Sequence, residues 1–372
     1  MHIVDLQNQY YKIKDKIDAA VADVINSGAY INGKAVNDFC DNLSCYLRSS
    51  YVVPCGNGTD ALMLALMALE LKPGDEVITS PFSFAASAEA ISFLGLKPVF
   101  ADINPHTFNI DAEAVEELIT PKTAAIMPVH LFGLPSDMEK LVKLAKKRSI
   151  YLIEDVAQAL GAKCKIGNKI QFAGTIGDIG CTSFFPSKNL GCFGDGGACI
   201  TENPDIAETI KIIASHGSSK KYLHSRIGVN SRLDTLQAAV LNVKLPYLDD
   251  YIEKRRRQAN IYNNILKGCD YVVTPYQPDN LYHTYNQYTI KVDVSKRDML
   301  KDHLASKGIP SRIYYPLSLN RQPAYKNFID KRSFNMPVAE EMCKRVLSLP
   351  VDTEKSDEVI EFIANEVVNF FN

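Results

Sequence analysis

Between residues 51 and 201, short β-rich runs recur, each followed by helix-like text. They read YVVP (51–54), DEVIT (75–79), KPVFADI (97–103), AAIMPVH (124–130), IYLIED (150–155), CTSFF (181–185) and GACIT (197–201). Most are continuously apolar rather than alternating. A strand of that kind is buried on both faces, which requires a mostly parallel sheet with helices on either side. This rhythm restricts the chain to the α/β class. In such sheets ligands bind outside the carboxyl ends of the strands, so the residues that leave each run are the ones to read for chemistry.

The flanking text sets the domain organisation. Apolar residues at helical spacing (Ile13, Ile17, Ala20, Val21, Val24, Ile25) predict an N-terminal helix that stops at Gly28. Beyond Arg232 a long helical run carries Pro246 as a kink and bridges into a second part. That part has few strands (NQYTIKVD, 286–293) and a Pro-rich segment at 310–325. The expected division is a large α/β domain over 1–248 and a smaller α+β domain over 249–372.

Composition removes several functions. The 372 residues carry 41 Lys and Arg against 43 Asp and Glu, a net charge of −2. That balance gives no basic excess for nucleic acid or an anionic membrane. The one basic run, Lys254-Arg255-Arg256-Arg257, reads as a solvated helix face. No apolar run approaches the roughly 18 residues of a membrane span, and charges interrupt the N-terminus where a signal peptide would be apolar. Nine cysteines with no C-x-x-C pair argue against a disulfide framework or a zinc ribbon. Cys55, Cys181 and Cys199 lie in apolar segments and read as core. The expected location is the cytoplasm.

Three strand ends stand out. CGNGTDALMLAL (55–66) is a glycine-rich turn entering a helix. Its free N–H groups, the Thr59 hydroxyl and the positive helix end would bind an anion; a capped helix start, with Thr59 or Asp60 as N-cap, is the plainer reading. Asp155 ends an apolar strand, where a carboxylate is costly unless it meets a cation. It would cap the next helix or face a bound, protonated ring nitrogen. Lys188 follows CTSFF, beside Phe184, Phe185 and Pro186. Desolvation lowers an amine's pKa and suits it to Schiff-base formation, whereas an isolated turn lysine would reach into solvent. Gly191, Gly194, Gly196 and Gly197 then suggest backbone drawn tightly around a bulky group. A phosphate cradle, a carboxylate for a pyridinium and an imine-forming amine are together what pyridoxal 5'-phosphate demands.

Competing motifs are weaker. GAYINGKA (28–35) fits G-x-x-x-x-G-K, but Ala35 replaces the magnesium-holding Ser or Thr and a helix precedes it. No G-x-G-x-x-G follows a strand, and the histidines show no metal spacing, so no metal is expected.

The segments NGTDAL, PFSFAASAEAI, IEDVAQALGA, TSFFPSKNLGCFGDGGA and GVNSRLDTLQAA resemble, in order and spacing, the DegT/DnrJ/EryC1/StrS sugar aminotransferases. The resemblance runs from VDLQNQY to SLPV. It implies a fold-type I pyridoxal-phosphate enzyme (aspartate aminotransferase-like) acting on a nucleotide-linked keto sugar. By motif, Lys188 looks like the Schiff-base lysine and Asp155 the partner of the pyridine nitrogen. Phe84 takes the place of the stacking aromatic, and Gln158 would lie near the phenolic oxygen. Gly58, Thr59, Asp60 and Ser183 would contact the phosphate. Asn230 resembles the asparagine that reaches the phosphate from a neighbouring subunit, implying a homodimer with shared sites. Lys188 also separates the chain from dehydratase members of the family, which carry histidine there. The implied cycle takes an amino group from L-glutamate, releasing 2-oxoglutarate, and passes it to the sugar.

YYPLSLNRQPAY places Asn320 where many members have histidine. With the other motifs, the chain resembles in particular the aminotransferases of UDP-2-acetamido-2-deoxy-3-oxo-glucuronate, which serve bacterial surface polysaccharides such as the lipopolysaccharide O-antigen. A uronate carboxylate would call for a cation. Arg232 is the candidate, through bidentate pairing; equally, it could pair with Asp234 or cap the following helix. Tyr315, Asn320 and Tyr30 are further candidates for sugar contact. The alternatives are a dTDP-linked 3- or 4-keto-6-deoxyhexose as acceptor, or an idle pyridoxal-phosphate-binding regulator. The second would be marked by loss of the lysine or the aspartate, and both are present.

Overall fold

The computed structural model describes all 372 residues. Seven strands form the central sheet: β1 (Tyr51–Cys55), β2 (Glu76–Thr79), β3 (Lys97–Phe100), β4 (Thr123–Met127), β5 (Tyr151–Asp155), β6 (Ile179–Ser183) and β7 (Gly197–Thr201). Their spatial order is β1-β7-β6-β5-β4-β2-β3. Only β7 runs against the others, pairing antiparallel with both β1 and β6.

Successive residues of a strand point to opposite faces, and both faces are buried. Val53, Val77, Met127, Cys181 and Cys199 pack with Leu64 of the helix Gly58–Ala68 and Ile210 of the helix Pro204–Ala214. Their neighbours Val52, Ala198 and Ile200 pack on the other face with Phe39, Leu43 and Leu241. Ile78, Ile126 and Leu152 meet Leu141 and Leu144 beside them. The expected α/β sheet is therefore present, and the three cysteines are core.

Two helices, Leu6–Lys12 and Lys14–Ser27, open the chain, and Gly28 ends the second with φ of 65°. The run after Arg232 breaks where Pro246 stands: helix Thr235–Lys244, a 3-10 turn Leu245–Tyr247, then helix Leu248–Leu266. Leu248 and Ile252 join the large-domain core, while Ala259, Tyr262 and Leu266 join a second core. That second core surrounds a three-stranded antiparallel sheet of Val272–Val273, Tyr288–Val292 and Val346–Leu349.

The C-terminal part is tied to the large one at many places, two of which flank the strand ends. Leu281–Tyr282 adds a strand to a hairpin formed by Lys163–Ile166 and Lys169–Phe172. Leu319 N–H donates to the Pro81 carbonyl at 2.7 Å, and the Tyr325 hydroxyl to the Ala85 carbonyl at 3.2 Å.

The basic run corrects its sequence reading. Arg255 is 2% exposed, and its guanidinium donates to the carbonyls of Tyr285, Asn286 and Val351. It lies within the buried stripe Leu248, Ile252, Arg255, Ala259, Tyr262, Leu266. Arg256 stacks over Tyr282 at 4.1 Å and donates to the His283 carbonyl. Arg255→Met leaves three buried carbonyls short of a donor. It is expected to cost about 3 kcal/mol of stability, read as a lowered midpoint in denaturant.

Candidate active site

Three strand ends converge. Gly197 lies opposite Cys55 on one side and Ser183 on the other, and β5 runs beside β6. The approach is too close for larger residues. A Cβ on Gly58 would lie 2.7 Å from Ser183 Cβ, and one on Gly197 would lie 2.4 Å from the Asn57 carbonyl oxygen. The turn after β1 thus rests directly on the end of β6.

The helix that follows begins at Gly58 with Asn57 as its N-cap, so neither Thr59 nor Asp60 holds that place. Asp60 N–H is taken by Asn57 Oδ1 at 2.8 Å. Its carboxylate accepts from the Ser231 hydroxyl at 2.6 Å, and Ser231 Oγ in turn accepts from Gly56 N–H at 2.9 Å. Asp60 therefore shapes the turn, and the polar groups left to meet an anion belong to Gly58, Thr59 and Ser183. Asp60, expected beside the phosphate, thus has its N–H and its carboxylate engaged within the turn.

Asp155 is 5% exposed at the end of β5. Burial raises its carboxyl pKa; the Ala157 N–H, the Ser87 hydroxyl and the charge of Lys188 oppose that rise. Ser87 donates to Oδ2 at 3.0 Å and Ala157 N–H to Oδ1 at 3.1 Å. Behind it stands a pair the sequence reading missed. His130 Nδ1 accepts from Ser136 N–H at 3.0 Å, so its Nε2 carries the proton donated to Glu154 Oε2 at 2.9 Å. Glu154 also accepts from the N–H groups of Gly174, Ile176 and Gly177. Burial raises the Glu154 carboxyl, but the His130 hydrogen bond and these amides outweigh it and hold the pKa below the usual range. The adjacent acids of IED at a strand end were the available signal: one is spent on structure, the other is left open.

Lys188 sits in a tight turn, its N–H donating to the Phe185 carbonyl at 2.9 Å. Burial pushes its amine down to about 8, against the opposing pull of Asp155. Gln158 Oε1 accepts from Phe132 N–H at 2.7 Å, and its Nε2 donates to the Tyr315 hydroxyl at 3.3 Å. Tyr315 lies 6.2 Å from the Phe82 ring and 6.5 Å from Phe84. Phe84 is 60% exposed, a large ring open toward solvent. Lys188, Asp155, Gln158, Phe84, Tyr315, Ser183 and Gly58 thus gather at the carboxyl ends of β1, β5 and β6.

The remaining candidates lie elsewhere in the chain. Asn320, a candidate for sugar contact, is 4% exposed; its amide donates to Glu340 at 3.1 Å and its Oδ1 has no hydrogen-bond partner. Arg232 is half-buried and lines a cavity of about 510 Å³ along the outer edge of β1, with Asn32, Asp41 and Lys211. The helix after it begins at Asp234 without a side-chain cap. Tyr30 is exposed, and its carbonyl accepts from Thr235 N–H beside that cavity. Asn230 is exposed and bridges to Ser215.

The fold is that of the fold-type I pyridoxal-phosphate transferases. A model of the DegT/DnrJ/EryC1/StrS aminotransferase family matches residues 11–368. The chain is 43% identical to a "pleiotropic regulatory protein" of Geobacillus stearothermophilus, over 99% of this chain and 98% of that one. It is 41% identical to the UDP-2-acetamido-2-deoxy-3-oxo-D-glucuronate aminotransferase of Pseudomonas aeruginosa, over 99% of this chain and 100% of that one. A crystal structure of a family aminotransferase from Brucella abortus superposes with a TM-score of 0.93 at 38% identity, covering 100% of this chain and 99% of that chain. The chain belongs to this aminotransferase family, as its motifs led us to expect. It is an enzyme that transfers amino groups.

Proposed function

We propose that the chain transfers the amino group of L-glutamate to the 3-keto group of UDP-2-acetamido-2-deoxy-3-oxo-glucuronate, with pyridoxal phosphate as cofactor. The single observation that carries the sugar is full-length similarity to an enzyme of that name. The residues fit the cofactor: a cradle too tight for a Cβ at Gly58, an open ring at Phe84, a buried acid and an amine of lowered basicity. When bound, pyridoxal phosphate supplies an aldehyde and an electron-accepting ring. The Gly58 and Thr59 backbone and the Ser183 hydroxyl would hold its phosphate at a helix N-terminus. Asp155 would pair with the protonated ring nitrogen. Phe84 would cover one face of the ring, and Gln158, fixed by Phe132 N–H, would meet its phenolic oxygen. Lys188 Nζ would join the aldehyde and, once the amino donor has displaced it there, would as a free amine carry the proton to and from the substrate carbon.

The site is shared in a homodimer in this reading. The segment before Asn230 carries Tyr222 at 87%, Leu223 at 55% and Ile227 at 88% exposure. Apolar exposure of that density fits a surface covered by a second copy. Asn230 and Arg232 would then serve the partner's site. No helix is long and apolar enough to cross a membrane, and nine unpaired cysteines suit a reducing compartment; we place the enzyme in the cytoplasm. A regulatory role takes its support from the name of the Geobacillus relative, but a regulator has no use for the Lys188–Asp155 pair.

The test follows the visible spectrum of the cofactor-loaded protein with L-glutamate, then with candidate keto sugars. The band should bleach with glutamate and return with the UDP-linked 3-keto uronate. Its return with a dTDP-linked keto-6-deoxyhexose alone would replace the sugar assignment. Arg232→Ala should lower kcat/KM for the uronate about 10- to 100-fold, the worth of a hydrogen bond to a charged group, and spare neutral sugars. Equal losses on both would make Arg232 structural.

A further inference from the structure

A second lysine underlies the turn that presents the first. Lys244, in the last turn of the helix Thr235–Lys244, is 2% exposed. Its Nζ donates to the Gly191 carbonyl at 2.6 Å and lies 5.6 Å from the centre of the Phe193 ring. Its partners are thus a carbonyl and an aromatic face rather than a carboxylate. A buried ammonium without an anion is expensive, and a methylene chain of the same length would fill the space at lower cost. Retention of a cation here calls for a reason.

The reason lies in the excursion from Phe184 to Gly196 that connects β6 to β7. Its ends are joined by Phe184 N–H donating to the Gly196 carbonyl at 2.7 Å, and Cys192 N–H returns to the Phe184 carbonyl at 2.8 Å. Within it, Gly191 lies so close to Pro186 that a Cβ would stand 2.3 Å from the Pro186 carbonyl oxygen. Lys188 is the crest of this closed turn. The excursion is fastened from below by one helix at two points: Gln237 Oε1 accepts from Phe193 N–H at 2.8 Å, and Lys244 takes the Gly191 carbonyl. Gln237 and Lys244 are seven residues apart and share a face of that helix. Asn189 adds a third fastening, its Nδ2 donating to the Leu160 carbonyl at 3.3 Å.

We infer that Lys244 is a positioning residue for Lys188: its ammonium holds the Gly191 carbonyl and so keeps the 185–191 turn closed and the part-buried Lys188 amine in its place near Asp155. The inference rests on the reading of Lys188 as the amine that joins the cofactor. Burial also lowers the Lys244 amine to about 8, with Arg255 acting in the same direction and Cys192 against it. The charge on the bond to Gly191 is therefore lost as pH rises through about 8.

The test uses the full-length apoprotein and reads Lys188 directly. Acetic anhydride labelling across pH, followed by mass spectrometry of the Lys188 peptide, gives the titration midpoint of that amine. The wild-type midpoint is expected at about 8. In Lys244→Met the turn loosens, the Lys188 amine becomes more fully hydrated and its midpoint rises; a rise of one unit lowers labelling at pH 8 about fivefold. Lys244→Arg, which keeps a charged donor, should recover most of the loss. A folded Lys244→Met labelled like wild type overturns the inference, as does a Lys244→Arg no better than Lys244→Met. Should Lys244→Met fail to fold, Lys244→Gln takes its place, and wild-type labelling in that variant is the overturning result. Labelling is read without cofactor, so it stands apart from the cofactor reading. A protein that never captures pyridoxal phosphate but shows the labelling shift would remove the role of Lys188 and keep the fastening.

Discussion

Lys188→Ala is expected to fold normally and to lose transamination by about 10²- to 10⁴-fold through the missing proton transfer alone. Nothing in the fold depends on its side chain: the turn is held by its backbone N–H to Phe185. The variant should leave the absorption of added pyridoxal phosphate unchanged, because no amine joins its aldehyde. A shifted band in that variant would assign the attachment to another lysine. The lowered basicity of Lys188 has its own consequence. An amine with a pKa of about 8 is mostly unprotonated above that pH, so capture of the aldehyde by wild-type apoprotein should quicken as pH rises through about 8 and then level off. A lysine of ordinary basicity would still be accelerating near pH 10.

Asp155→Asn is expected to cost about 10²- to 10³-fold in turnover, the scale on which removal of one preorganised electrostatic partner is felt. Asparagine keeps the shape: Oδ1 can still accept from Ala157 N–H, and the bond to Ser87 reverses, its Oγ accepting from Nδ2. Stability should move the other way. Burial raises the Asp155 pKa in the folded protein, so at neutral pH the ionised carboxylate opposes folding, and a neutral isostere removes that opposition. A melting temperature equal to or above wild type, with turnover collapsed, marks a residue kept for chemistry. Near-normal turnover would refute the role; a large drop in melting temperature would make Asp155 a structural member.

What could be read from the sequence was whatever has a period or a strong local cost. The apolar runs of β1 to β6 announce a buried parallel sheet because both faces must be apolar. Lys188 and Asp155 are legible because a charge at the end of such a run needs a partner. The hairpin 163–172 was not: of KCKIGNKIQF only Cys164 is buried, with Ile166 and Phe172 at the margins of the cores, and its exposed residues follow no single face. Arg255 was misread because a run of four basic residues looks solvated. Its place on the stripe of Leu248, Ile252, Ala259 and Tyr262 was the overlooked signal. Lys244 repeats the lesson three residues after Leu241 on its own helix. Asp155 could be singled out from the sequence, but the structural role of Glu154 could not, since it is set by the amides of Gly174, Ile176 and Gly177 far along the chain.

The ties between the C-terminal part and the large one bear on how a bulky sugar nucleotide gets in. The strand Leu281–Tyr282 hangs on the 163–172 hairpin, and the segment carrying Tyr315 is held at Leu319 and Tyr325 to the strand end and helix start around Phe84. A hinge swing of the smaller part would have to break main-chain bonds on both sides of the site. The architecture is that of a fixed bay rather than a jaw: a ligand whose nucleotide is larger than its reacting sugar berths with its tail outside, and selectivity is settled by the quay rather than by a closing door.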